Sequence, residues 1–182
     1  RQWRAGAGRH DRLALPFDHE VVRQIDFLPG RVVQRRALAA RHATGAEAPR
    51  PPQFPGFDAG NLALQCNGSD AFVSTVSGLL NSRPVFTISG WMRRNGPQNN
   101  RTGLWGQNDI VEFGYIANQT LEVWTDNGLD IANTVADGDW AHLAIVSSGS
   151  PGDMTMYVNG AAVGTRVHTL PADNAFAFNI GG

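Results

Sequence analysis

The residues of this 182-residue chain best suited to chemistry are aromatic and carboxylic, and they recur at strand spacing. In Leu121-Glu-Val-Trp124 the polar and aromatic members alternate with Leu121 and Val123, and in Trp140-Ala-His142 the aromatic members alternate with Ala141. Ser89, Trp91 and Arg93 alternate with Ile88, Gly90 and Met92, and Thr155 and Tyr157 alternate with Met154, Met156 and Val158. Alternation in a strand sends successive side chains to opposite faces. If these strands share one sheet, its outer face gathers Trp91, Trp124, Trp140, Tyr157, His142 and Glu122. Rings of this kind stack on the apolar face of a sugar while flanking polar groups bond its hydroxyls. The loop Gly106-Gln-Asn-Asp109 sets Asn108 and Asp109 at a rim, where loops carry function. The candidate ligand-binding set is therefore Trp124, Glu122, Trp91, His142, Tyr157, Asn108 and Asp109.

Other chemistries find less support. Glu122 and Asp126 are four residues apart, Asp126 stands at the turn before Asn127-Gly128, and no third acid accompanies them, so no catalytic residue is assigned. The five histidines (His10, His19, His42, His142 and His168) show no ligand spacing for zinc. Cys66 is the sole cysteine, which rules out an intrachain disulfide, and its alternating surroundings predict a buried bystander. Asn67-Gly-Ser69, Asn100-Arg-Thr102 and Asn118-Gln-Thr120 fit the N-glycosylation pattern, at about the frequency an Asn-rich chain gives by chance.

From Gly60 onward short strands alternate with Gly, Asn, Asp and Pro turns. Strands are predicted at Leu62–Cys66, Ala71–Ser74, Val85–Arg93, Thr102–Trp105, Ile110–Ile116, Leu121–Thr125, Trp140–Ser147, Met154–Val158 and Ala162–Thr165. Asn159-Gly160 predicts a two-residue hairpin between the last two. Phe86, Ile88, Met92, Leu121, Val123, Leu143, Ile145, Met154, Met156 and Val158 are the expected inter-sheet core. Nothing alternates strand with helix, and no internal repeat is present.

Several of these segments resemble the laminin-G-like jelly roll of the concanavalin A-like lectin/glucanase family. Ala63–Val73 is similar to its opening strand and turn, Phe86-Thr-Ile-Ser-Gly-Trp-Met92 to "F-T-I-S-A-W-V", and Asp137-Gly-Asp-Trp-Ala-His-Leu-Ala144 to "D-G-x-W-H-H-V-A". Met154-Thr-Met-Tyr-Val-Asn-Gly160 is similar to "L-T-L-Y-V-D-G" and Asn179-Ile-Gly-Gly182 to the late "x-I-G-G". The resemblance implies an all-β, two-sheet antiparallel jelly-roll sandwich over residues 58–182. It also implies a further strand after "I-G-G", so the sandwich is expected to lack its last strand. Trp91, Trp140, His142 and Tyr157 fall inside the family's framework motifs, whereas Glu122 and Trp124 do not. Asn67 and Ala71 stand where the family has acids, which leaves Asp70 as a weak calcium candidate and no other cofactor. Retaining glucanases of this architecture carry E-x-D-x-x-E, which this chain lacks.

Composition supports a packed domain with a neutral surface. Hydrophobic residues make up 42% and charged residues 17%, against about 25% charged in ordinary soluble domains. The net charge of -1 gives no general attraction for nucleic acid or an anionic membrane, and no 18-residue apolar run is present. All basic residues are Arg. Residues 1–50 hold ten Arg against five acids, whereas 51–182 hold five against eleven. Residues 1–57 are read as a poorly structured Arg-rich extension with one helical piece, Arg31–His42, and a Pro-rich linker at 48–56. A basic arm for an anionic partner, or a misread GC-rich coding stretch, are the other readings. The expected function is a non-catalytic module binding glycan or extracellular protein, one domain of a larger secreted or cell-surface chain. A structural or adhesive spacer, and a glucanase-type hydrolase fragment, are the alternatives.

Overall fold

The computed structural model describes residues 39–41, 44–66, 71–75, 77–98 and 101–181. Asp70, Asn67, Asn100 and the extension before Ala39 lie outside the described residues. Among those described there are only strands and connections. They are β1 (Ala39–Arg41), β2 (Thr44–Glu47), β3 (Leu62–Gln65), β4 (Phe72–Ser74), β5 (Val85–Arg93), β6 (Thr102–Gln107), β7 (Val111–Ala117), β8 (Thr120–Trp124), β9 (Gly128–Ala132), β10 (Trp140–Ser148), β11 (Gly152–Val158), β12 (Ala161–His168) and β13 (Phe178–Ile180). Seven pair in the order β1-β4-β13-β6-β7-β8-β9, four in the order β12-β11-β10-β5, and β2 and β3 pair apart. All named pairs are antiparallel, so the chain is an all-β sandwich of the expected class.

Alternation builds the core. Ile88 and Met92 from β5, Leu143 and Ile145 from β10, and Met154, Met156 and Val158 from β11 turn inward from the four-stranded sheet. They meet Val111, Phe113 and Tyr115 from β7, Leu121 and Val123 from β8, and Phe178 from β13. The Trp105 and Phe113 rings pack 5.3 Å apart within this layer. Asn159 and Gly160 both take the left-handed conformation that a tight β11–β12 hairpin turn requires. At the other sheet the three-residue turn Thr125-Asp126-Asn127 folds β8 back into β9, a strand that the alternation pattern did not predict.

Four expectations differ from the structure. β8 lies in the seven-stranded sheet while β5, β10 and β11 lie in the four-stranded one, so Trp124 and Glu122 do not share a face with Trp91, His142 and Tyr157. Ala39–Arg41, expected as the end of a helix, pairs as a strand with β4, because the weak apolar stripe there gives a helix nothing to bury against. That strand lies along the edge of β4 that β13 does not occupy. The stretch at 48–57 is no bare linker: Arg50 donates to Asn61 O (2.7 Å), Asn61 donates back to Pro49 O (3.2 Å), and Phe54 N–H reaches Arg50 O (3.0 Å), closing a compact loop. Cys66 is exposed, since it follows β3, whose only partner is β2 and which contributes nothing to the main core.

Buried polar groups fix the connections. Gln107, fully buried, accepts from Leu80 N–H (3.0 Å) and donates to Asn81 Oδ1 (2.6 Å) and Asn174 Oδ1 (3.1 Å), tying two loops to the end of β6. At the other end Arg94 is buried beneath its loops. It donates to Asn118 O (2.5 Å), pairs with Asp137, and lies 5.4 Å over the Tyr115 ring. Between β10 and β12, Ser147 Oγ lies 2.6 Å from Pro84 O and 2.9 Å from His168 Nε2. Gly149 O also lies 3.1 Å from Ser147 Oγ, and the buried Nδ1 of His168 bonds no described residue.

Two expectations about stability follow. Arg94→Ala is expected to destabilise the domain by roughly 2–4 kcal/mol, read as a lower urea midpoint at unchanged slope. Burial holds the His168 imidazole below its ordinary pKa of 6.5 despite the opposing charge of Asp126. The unfolded chain therefore binds this proton first, so stability is full above about pH 6.5 and declines as the pH falls below it. His168→Gln should remove that part of the acid-side loss in melts taken from pH 8 to pH 5; an unchanged profile would exclude His168 as its source.

Candidate functional site

The outward face of the seven-stranded sheet is built in two cross-strand rows. Gly106 faces Glu112, Glu112 faces Trp124, and Trp124 faces Gly128. In the next row Gly114 faces Glu122 and Glu122 faces Asp130. Val123 and Leu121 are buried on the other side of β8, which fixes Glu122 and Trp124 outward. Trp124 is 40% exposed, and glycine opposite it on β9 leaves that flank of the ring without a neighbouring Cβ. Gly128 also makes room for Glu122: a Cβ there would collide with a Glu122 carboxylate oxygen.

Three carboxyls surround the ring's position. Partial burial, then the hydrogen bond and charge of Asp130, hold the Glu122 carboxyl above the usual carboxylate range; Glu112 adds to this and Arg101 opposes it. The carboxyls thus offer several acceptors beside an exposed indole, which suits the O–H donors of vicinal sugar hydroxyls.

The rim loop joins this face. Asp109, in a left-handed conformation, donates its N–H to Glu112 Oε1 (3.0 Å), and Asn108 O accepts from Asn174 Nδ2 (2.8 Å). Asn108 and Asp109 are therefore linked through Glu112 to the Trp124 row. Asp126, the acid weighed as a partner for Glu122, is turned away to Arg166 (3.1 Å) and Thr169 N–H (3.2 Å). The true neighbours, Asp130 and Glu112, were missed. Local sequence did not signal Asp130: the turn is Thr125-Asp126-Asn127, with Gly128 already paired to Trp124, and only that three-residue connection sets Asp130 opposite Glu122.

Trp91, His142 and Tyr157 occupy the outward face of the other sheet. Trp91 faces His142 across β5 and β10, with ring centroids 5.6 Å apart. Phe54 and Phe57 of the Arg50–Asn61 loop meet Trp91 nearly edge-on at 5.1 and 5.6 Å. The Arg93 guanidinium lies 5.2 Å over the Trp140 ring. Tyr157 stands on β11 between Ala144 and Ala162, half-buried. Among the described residues no group of three or more His, Cys, Asp or Glu could hold a metal ion, and no helix is long and apolar enough to cross a membrane.

A family profile described as the concanavalin A-like lectin/glucanases superfamily matches residues 67–182. No curated protein matches the sequence. Among solved structures, domain 4 of AbnA, a GH43 extracellular arabinanase from Geobacillus stearothermophilus in complex with arabinotriose, is similar with a TM-score of 0.52 and 18% identity, over 76% of this chain and 71% of that one. Carbohydrate-binding module CBM66 from Bacillus subtilis aligns with a TM-score of 0.44 and 12% identity, over 79% and 87%. The Caenorhabditis elegans galectin LEC-6 aligns with a TM-score of 0.32 and 17% identity, over 56% and 86%.

The two exposed tryptophans should respond differently to truncation. Trp91→Ala removes three edge-on ring contacts and is expected to cost about 2–3 kcal/mol, whereas Trp124→Ala, with glycine on one side, should change stability by less than about 0.5 kcal/mol. Equal losses in denaturant melts would mean that both rings are framework.

Proposed function

The chain belongs to the concanavalin A-like lectin/glucanases superfamily, and on that premise we propose that it is a non-catalytic carbohydrate-binding module whose site is the Trp124 face. The observation that carries the reading is the exposed Trp124 ring, cleared by Gly128 and flanked across the strands by Glu112 and by the facing Glu122 and Asp130. An aromatic platform beside a few fixed polar groups suits the two faces of a sugar ring. The Asn108–Asp109 loop, tied to Glu112, forms the near rim of the site.

The same two carboxyls support binding over hydrolysis. A retaining glycosidase keeps its carboxyls about 5–5.5 Å apart across the scissile bond, and an inverting one about 6.5–9.5 Å. Glu122 and Asp130 instead stand directly opposite each other on adjacent strands, near enough for Asp130 to raise the Glu122 pKa, and are not set apart along one strand as in the glucanase pattern. An extracellular setting within a multidomain chain is part of the proposal. It draws on the structural likeness to one domain of an extracellular arabinanase that holds arabinotriose.

The test is a titration of neutral oligosaccharides, beginning with arabinotriose, against the parent chain and Trp124→Ala. Loss of the ring is expected to weaken binding at this face, followed through the Gly128 and Asp130 backbone amides, by about 2 kcal/mol, roughly 30-fold in Kd, with the melting temperature unchanged. Undiminished affinity in Trp124→Ala would remove the site from this face, and release of reducing ends from a polysaccharide would replace the module with a hydrolase.

A further inference from the structure

On the opposite side of the sandwich the Arg50–Asn61 loop and the four-stranded sheet enclose an open groove of about 640 Å³. That volume is within the ~300–1,000 Å³ of small-molecule sites. The loop contributes Gln53 and Phe54, the strands contribute Trp91, Trp140 and His142, and the adjoining turns contribute Asp139 and Asn159. The loop is held by its own base, through the reciprocal Arg50 and Asn61 hydrogen bonds, and by Phe54 and Phe57 against Trp91. It is thus a wall fixed on a rigid sheet, the usual construction of a binding loop.

The lining has the chemistry of a hydroxyl-rich guest. Asn159 Oδ1 is engaged by His142 N–H (2.9 Å), but the side-chain polar groups of Gln53 and Asp139 and the ring nitrogens of His142 bond no described residue. One amide, one carboxylate and one imidazole therefore converge on a groove lined by indole and phenyl rings. The Arg93 guanidinium over Trp140 and the Asp139 carboxylate bring opposite charges to the same edge, which favours a neutral guest over a strongly ionic one.

The geometry points to a second saccharide site, in which this groove takes a neutral oligosaccharide independently of the Trp124 face. The inference rests on the carbohydrate-binding reading above and extends it. The two sites look outward from opposite sheets, which pack about 10 Å apart before outward side chains are counted. A trisaccharide cannot touch both. A long polysaccharide can be held by one site while a second chain is held by the other, so the module is bivalent and cross-links polymers.

The experiment follows the Trp124 indole N–H and the Gln53 and Asn159 side-chain amides by NMR during titration with arabinotriose, xylotriose and cellotriose. For a trisaccharide that binds, both sets of signals should move, each with its own saturation. In Trp124→Ala the groove signals should titrate with a Kd within twofold of the parent's. In the Gln53→Ala/Asp139→Ala double variant the Asn159 response should weaken at least tenfold while the Trp124 indole titrates as before. Loss of the groove response in Trp124→Ala, or an unaltered Asn159 response in the double variant, overturns the second site. Indole shifts without groove shifts overturn it and leave the first site standing. Groove shifts without indole shifts sustain it and refute the first, and silence at both with all three sugars refutes both.

Discussion

A strand that buries one face has no freedom over the other, and that constraint organises this molecule. Leu121 and Val123 must enter the core, so Glu122 and Trp124 must leave it. Met92 is drawn inward, so Trp91 points out. Because β8 and β5 belong to different sheets, the same rule sends the two tryptophans to opposite sides of the sandwich. The polar pins at the ends then act on an arrangement already settled by burial. Gln107 and Arg94 bind loops whose positions the strands dictate, and an unpaired amide or guanidinium at either site would carry the full cost of its desolvation.

Sequence patterning carried the inward face and the strands β3–β8 and β10–β12, which alternate with period two, but not β1, β2, β9 or β13. Every inward residue named from alternation, from Ile88 to Val158, enters the core, although Phe86 is only partly buried. What patterning could not carry was which strand lies beside which. Glu122 and Asp130 become neighbours only because the turn Thr125-Asp126-Asn127 folds β9 back on β8, and Glu112 reaches Trp124 only through β7–β8 pairing. The Arg50–Asn61 loop was hidden for a different reason. Its proline content describes an extended chain, and nothing local to it reveals that Phe54 and Phe57 will meet Trp91, which lies far along the chain.

The fold itself is neutral on what it binds, since one sandwich supports unrelated tasks. The distinction lies in how carboxyls are spaced on an outward face. Side chains directly opposite each other on adjacent strands stand close enough to act on one another, as Asp130 does in raising the Glu122 pKa. Acids spaced along one strand, or across two strand intervals, leave room for a substrate oxygen between them. A register shift of one residue in β9 would therefore separate this pair and turn Asp130 into the core. The hairpin turn ahead of β9 thus sets the chemistry of the face as well as its shape.

The place of β13 has a consequence for how the chain reaches this structure. β13 inserts between β4 and β6, and Thr75 exchanges hydrogen bonds with Phe178 across 103 residues of sequence. Until the last strand is in position, the large sheet exists as two unconnected parts, and β4 and β6 each present an open row of backbone donors and acceptors. Closing a loop of that length carries an entropic cost before any contact repays it, which makes such topologies slow to fold. During synthesis the β6–β9 meander can form early, but its β6 edge stays open until nearly the whole domain has left the ribosome. That interval is when strand edges of one chain are most exposed to those of another.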